Sequence, residues 1–173
     1  NKILKQVSET YRKIRNTARF LLSNLNDFDP AADSLPYAEL REVDRWFLHR
    51  LQVLIEKALT AYDAYEFHAV HHAIHRFCVV EMSNFYLDIT KDTLYAELPQ
   101  DKQRRSVQTV MYQILDALLR LLTPILAFTS EEIYRYMPKM PGMPESVQML
   151  AMPVVNQAYV DAELDAKWQK LAA

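Results

Sequence analysis

Glycine is almost missing: the 173 residues include one, Gly142. Average usage would supply about a dozen, and hairpins, tight turns and phosphate-cradling loops consume glycine where the backbone needs positive φ. Its scarcity excludes a dinucleotide-binding fingerprint, a P-loop and most all-β architectures. Cysteine is as scarce. Cys78 alone excludes an internal disulfide framework and a cysteine-based zinc site, and fits a reducing compartment. No apolar run approaches the roughly 20 residues that span a bilayer, and no signal-peptide pattern opens the chain. The first residue is Asn1 rather than Met and already lies in a helical pattern, which predicts a piece of a longer polypeptide.

What is present is a helical alphabet, 50% hydrophobic and 24% charged. Ile3, Val7, Tyr11, Ile14, Ala18, Leu21 and Leu25 step by three and four, predicting an amphipathic helix over about 2–25 with these residues inward. Pro30 and Pro36 make 27–38 a loop. Asp44 is the predicted cap of a second helix carrying Phe47, Leu51, Leu54 and Ala58 inward. A third helix is expected over 67–95, with Ile74, Cys78, Met82, Phe85 and Ile89 inward, and a fourth from about Asp101 to Leu121. Pro124 predicts a break. Thr129 and Glu132 have capping-box spacing for a short fifth helix ending before Pro138. The prediction is therefore all-α: an antiparallel bundle of four long helices plus a short fifth over 1–137. Residues 138–173 form an irregular tail, in which 147–152 is a strand or packs on the bundle and 160–173 starts another helix.

Few residues offer chemistry. His68, His71, His72 and His75 fall at i, i+3, i+4 and i+7, so pairs among them can face a transition metal. A site needs more ligands and an orienting shell, and neither HExxH nor the inward Glu-x-x-His of di-iron bundles is present, so no metal site is predicted. Cys78 lies on the apolar stripe, and Glu131 and Glu132 sit at a helix start; neither marks a catalytic centre. Charge distribution says more. Residues 1–20 hold six basic side chains and one acidic one, a charge of +5, so the rest must carry −7 to reach the net −2. Lys5, Arg12, Arg15, Asn16 and Arg19 lie off the apolar stripe. Such a row suits phosphates, with Arg15 and Asn16 able to meet base edges and Tyr11, Tyr86 or Tyr95 able to stack on unpaired bases. The same row also describes an ordinary solvated helix face. Lys102, Arg104 and Arg105 form a second basic cluster, unfavourable to the dipole at a helix start.

Several blocks resemble, in order, one family. They are Tyr11-Arg12-Lys13-Ile14-Arg15-Asn16-Thr17, Asp44-Arg45-Trp46, Tyr65-Glu66-Phe67-His68, Phe85-Tyr86-Leu87-Asp88-Ile89-Thr90-Lys91-Asp92, Arg105-Ser106-Val107-Gln108-Thr109 and Leu122-Thr123-Pro124-Ile125-Leu126-Ala127-Phe128-Thr129-Ser130-Glu131-Glu132. Together they look like the anticodon-binding bundle of bacterial isoleucyl-tRNA synthetases, class I aminoacyl-tRNA synthetases. Tyr134 departs from the Trp that relatives often carry, and Met149 and Leu150 from a commoner aromatic wording.

The resemblance implies a domain that holds the isoleucine tRNA anticodon stem-loop for ATP-dependent isoleucylation performed elsewhere on the same cytoplasmic, monomeric polypeptide. ATP, Mg and Zn would belong to the full-length enzyme's catalytic and C-terminal domains, with no cofactor in this segment. Neither a His-Ile-Gly-His-type nor a Lys-Met-Ser-Lys-Ser-type motif occurs here, so the segment itself is expected to catalyse nothing. The resemblance places Arg15, Asn16, Lys91 and Thr93 near the anticodon, with Tyr11, one turn before Arg15, beside them; capping or bridging of neighbouring helices is the open alternative for Arg15 and Asn16. The phosphate contacts expected are Lys5, Arg12, Lys13, Arg19, Lys102, Arg104 and Arg105. Two other readings stay open: the equivalent bundle of a valyl or leucyl enzyme, and a helical protein-interaction scaffold that ignores RNA.

Overall fold

A computed structural model describes residues 2–171; Asn1 and the last two positions of the predicted C-terminal helix lie outside them. The elements are α1 (Lys2–Ser23), α2 (Glu42–Asp63), α3 (Phe67–Arg76), a π-helical segment (Phe77–Tyr86), α4 (Leu87–Ala96), α5 (Lys102–Leu122), α6 (Ala127–Tyr136) and α7 (Ala162–Leu171). Single 3-10 turns fall at Tyr37–Glu39, Val147–Met149 and Gln157–Tyr159. No strand occurs among the described residues. Four long rods and a short α6 form the expected bundle, because α3, the π segment and α4 follow one another without interruption.

α5 is the centre. Val107, Val110, Met111, Ile114, Leu115, Leu118, Leu121 and Leu122 are all at most 2% exposed, and α1, α2, α4 and α6 pack around them. Asp101 caps it, its carboxylate accepting from the backbone N–H groups of Gln103 and Arg104 at 2.7 and 3.3 Å. Beyond it the chain leaves the helix at Pro124 as predicted, and α6 begins at Ala127. The tail folds back: Val147 is buried, and α7 lies on α2, where Trp168 stacks on Trp46 at 5.4 Å and Lys167 pairs with Glu42.

The third rod differs from the uniform α-helix expected. Val70, Ile74, Cys78, Met82, Tyr86, Thr90 and Leu94, strictly four residues apart, are all buried. In an α-helix four residues overshoot one turn by about 40°, so such a stripe would spiral off the core. The wider π turn winds back and keeps the stripe facing inward. This is why Ile89 is 43% exposed and Phe85 only half-buried, while Tyr86 and Leu87 take the inward places.

Two capping expectations are corrected. Asp44 is not a helix cap; it lies in the first turn of α2, wholly buried. There it accepts from Arg41 Nε at 2.6 Å, Tyr86 Oη at 2.7 Å and Ser106 Oγ at 2.7 Å. A buried carboxylate needs that many partners. Thr129 is not a cap either, since α6 already begins at Ala127 and the Thr129 hydroxyl shares a 2.9 Å hydrogen bond with that of Tyr11. Glycine scarcity also shows: Tyr65 takes the left-handed φ of 58° at the α2–α3 turn, a place glycine usually fills.

Removing the Asp44 carboxylate strands the Arg41 guanidinium and two hydroxyls. We expect Asp44→Ala to lower stability by about 3–5 kcal/mol, against about 2 kcal/mol for Tyr86→Phe, read as shifts of the urea midpoint.

Candidate nucleic-acid interface

α1 meets the bundle with Ile14, Thr17, Ala18 and Leu21, all buried. Its first turns project beyond that contact: Ile3 and Val7, predicted inward, are 72% and 56% exposed. The helical repeat then sorts the basic residues. At 100° per residue, Lys5, Arg12, Asn16 and Arg19 fall on one outward face, and all four are exposed. Arg15 leans toward α6, 4.0 Å from Glu132. Lys13 leans the other way, lining with Asn16, Thr17 and Phe20 a groove against Val79, Ser83 and Asn84 of the π segment.

The structure separates these cations from the other predicted ones by their partners. Among the described residues, Lys5, Arg12, Lys13 and Arg19 make no ion pair. By contrast Lys91 pairs with Asp88 at 3.2 Å and Lys102 with Glu39 at 2.9 Å. Arg104 grips Asp27 through two hydrogen bonds of 2.6 and 3.0 Å, and that guanidinium holds the Asp27 carboxyl below its ordinary value. The Arg105 side chain is only 7% exposed; it donates to the Asp27 carbonyl and to Gln108 Oε1 at 2.9 and 2.8 Å. Arg104 and Arg105 thus clamp the loop after α1 onto α5, and the net effect is to spend both charges inside the fold.

The remaining predicted residues are also placed. Thr93 accepts from Arg41 at 3.1 Å, and Tyr11 is held by Thr129 at half-burial. Tyr86 is fully buried and cannot stack on a ligand, whereas Tyr95 is 70% exposed. Sequence reasoning missed Tyr136. It stands 76% exposed beside Arg15 and Arg19 in a groove of about 300 Å³ between α1 and α6. Only its position two residues after the buried Tyr134, on the other side of α6, marked it as outward.

A family model for the anticodon-binding domain of tRNA ligase matches residues 44–172. The chain belongs to that family. Curated relatives extend the likeness through α1. A protein named isoleucine-tRNA ligase from Desulforamulus reducens is 59% identical over 169 residues, 98% of this chain and 18% of the relative. Those so named from Carboxydothermus hydrogenoformans and Moorella thermoacetica are 58% and 54% identical, again over 18% of their lengths. The chain therefore spans less than a fifth of these relatives.

Within this anticodon-binding domain the histidines of α3 face α1. His68, His71, His72 and His75 share a groove with Gln6, Val7 and Thr10; among the described residues no three His, Cys, Asp or Glu side chains converge as a metal would require. Cys78 is buried and its thiol is pushed up to about 12, so it is not a nucleophile. Burial holds His75 below the ordinary imidazole value of 6.5, and Lys13, His71 and His72 push the same way. The unfolded chain therefore takes up this proton first as pH falls. Stability should drop as pH falls below 6.5, and His75→Gln should flatten that drop, measured by thermal melts between about pH 7.5 and 5.

Proposed function

We propose that this chain is the anticodon-holding bundle of an isoleucine-tRNA ligase. It grips the anticodon stem-loop of the isoleucine acceptor through the outward face of α1. The observation that carries this is the row of unpaired cations at Lys5, Arg12 and Arg19, flanked by Lys13, on a fold whose other predicted basic residues are largely matched within the fold. Uncompensated charge repeated every two turns, about 10 Å, suits a polyanion better than a partner helix. Arg15 and Asn16 sit at the edges of that row, where a base can be met, and Tyr11 sets the angle of α1 through Thr129. Lys91, Thr93 and Lys102 are further contacts, weaker than the α1 row because each already has a partner. Arg104 and Arg105 act by shaping the loop that follows α1.

In this reading the segment performs no chemistry. It fixes one end of the tRNA so that the other reaches a catalytic domain elsewhere in a monomeric cytoplasmic polypeptide, which supplies the ATP and Mg sites and, with its C-terminal region, any Zn site. The names of the relatives support isoleucine as the amino acid.

The test is titration of the chain with a labelled isoleucine anticodon stem-loop at low and moderate salt, with a valine stem-loop competing. Binding should weaken steeply with salt. Arg12→Glu and Arg19→Glu should each cost about tenfold and flatten the salt slope by about one. Asn16→Ala should narrow the gap between the two stem-loops. Salt-insensitive behaviour with no effect of charge reversal would overturn the RNA reading and leave the protein-interaction scaffold standing.

A further inference from the structure

We propose that the groove between α1 and α6 holds one unstacked nucleobase, with Tyr136 as its stacking platform. The inference rests on the RNA-binding reading above and adds a site to it. Leu22 and Ile133 floor the groove, Tyr136 walls it, and Arg15, Arg19 and Glu132 ring its mouth. At about 300 Å³ it matches the small end of ligand sites and admits a single base but no duplex.

Three observations converge on a base. Tyr136 is an aromatic ring left 76% exposed, and every base offers a π-face to such a ring. Arg15 and Arg19 place guanidinium planes beside it, the second kind of surface on which unpaired bases stack. Glu132 decides which end of a nucleotide enters. Its carboxylate is 62% exposed and, among the described residues, pairs with Arg15 alone, at 4.0 Å, so it repels a phosphate and accepts the N–H groups of a base edge. The phosphates stay outside, on the outward face, where Lys5 and Arg12 make no ion pair among the described residues. α1 thus works on two sides, with its outward face on the backbone and its α6 side on a base.

The test uses the isoleucine anticodon stem-loop carrying a fluorescent 2-aminopurine at each loop position in turn, and a blunt duplex of the same stem. Binding to the wild-type chain should quench one loop position by stacking. Tyr136→Ala should abolish that quenching at saturation and weaken stem-loop binding about tenfold, Tyr136→Phe should preserve both, and duplex binding should not change. Tyr136 is exposed, so its truncation leaves the fold intact, and an unchanged melting temperature checks this. If Tyr136→Ala binds and quenches like wild type while Arg12→Glu still weakens binding, the base site is overturned and the RNA reading survives. If no stem-loop binds even at low salt, the RNA reading itself falls and takes the base site with it.

Discussion

A carboxylate with no access to water organises this bundle. Asp44 can stay charged in the interior only if donors reach it, and they come from three separated stretches: Arg41 before α2, Tyr86 at the end of the π segment, and Ser106 in the first turns of α5. Meeting those demands fixes how α2, the third rod and α5 stand against one another. Arg41 carries the restraint to α4 through Thr93, and Ser106 returns it to the backbone N–H of Arg41 at 3.0 Å. Once α5 is held, its neighbouring turn anchors the loop after α1 through Arg104, Arg105 and Gln108. The direction in which α1 leaves the bundle thus descends from a wholly buried residue.

The basic residues divide by what they answer to. Those at the start of α5 face acidic and carbonyl groups of their own chain, and their charge is absorbed. Those on the outward face of α1 make no ion pair among the described residues, on a helix with no acidic residue in its first turn. Folding alone gains nothing from that arrangement, and counter-charge from outside would relieve it. The contrast gives the cations of α1 a different standing from side chains of the same type elsewhere in the molecule.

Periodicity made the bundle legible, since three- and four-residue steps in Ile14, Ala18 and Leu21 or in Ile114, Leu118 and Leu121 have one physical reading. Partnerships over long separations were not legible. Arg104 reads as a free cation until Asp27, 77 positions away, is seen to hold it. Asp44 has the residue type of a helix cap, and only burial distinguishes a cap from a core acceptor three residues into the helix. Thr129 failed because α6 starts two residues earlier, at Ala127, and the Thr129 hydroxyl bonds that of Tyr11, 118 positions away. The row on α1 was readable because a single helix suffices to place it. The groove at Tyr136 was not, because two helices distant in sequence must meet to form it.

The π segment has a consequence for how the chain tolerates change in length. Substitutions there alter one side chain, but loss of one residue would let the segment relax to ordinary α-helical winding. A residue added with the winding unchanged would instead turn every residue of α4 by about 100° about the rod, carrying Thr90 and Leu94 out of the core and Thr93 away from Arg41. Between Phe77 and Tyr86, single-residue insertions should accordingly be rarer among viable variants than single-residue deletions, which the wider turns absorb.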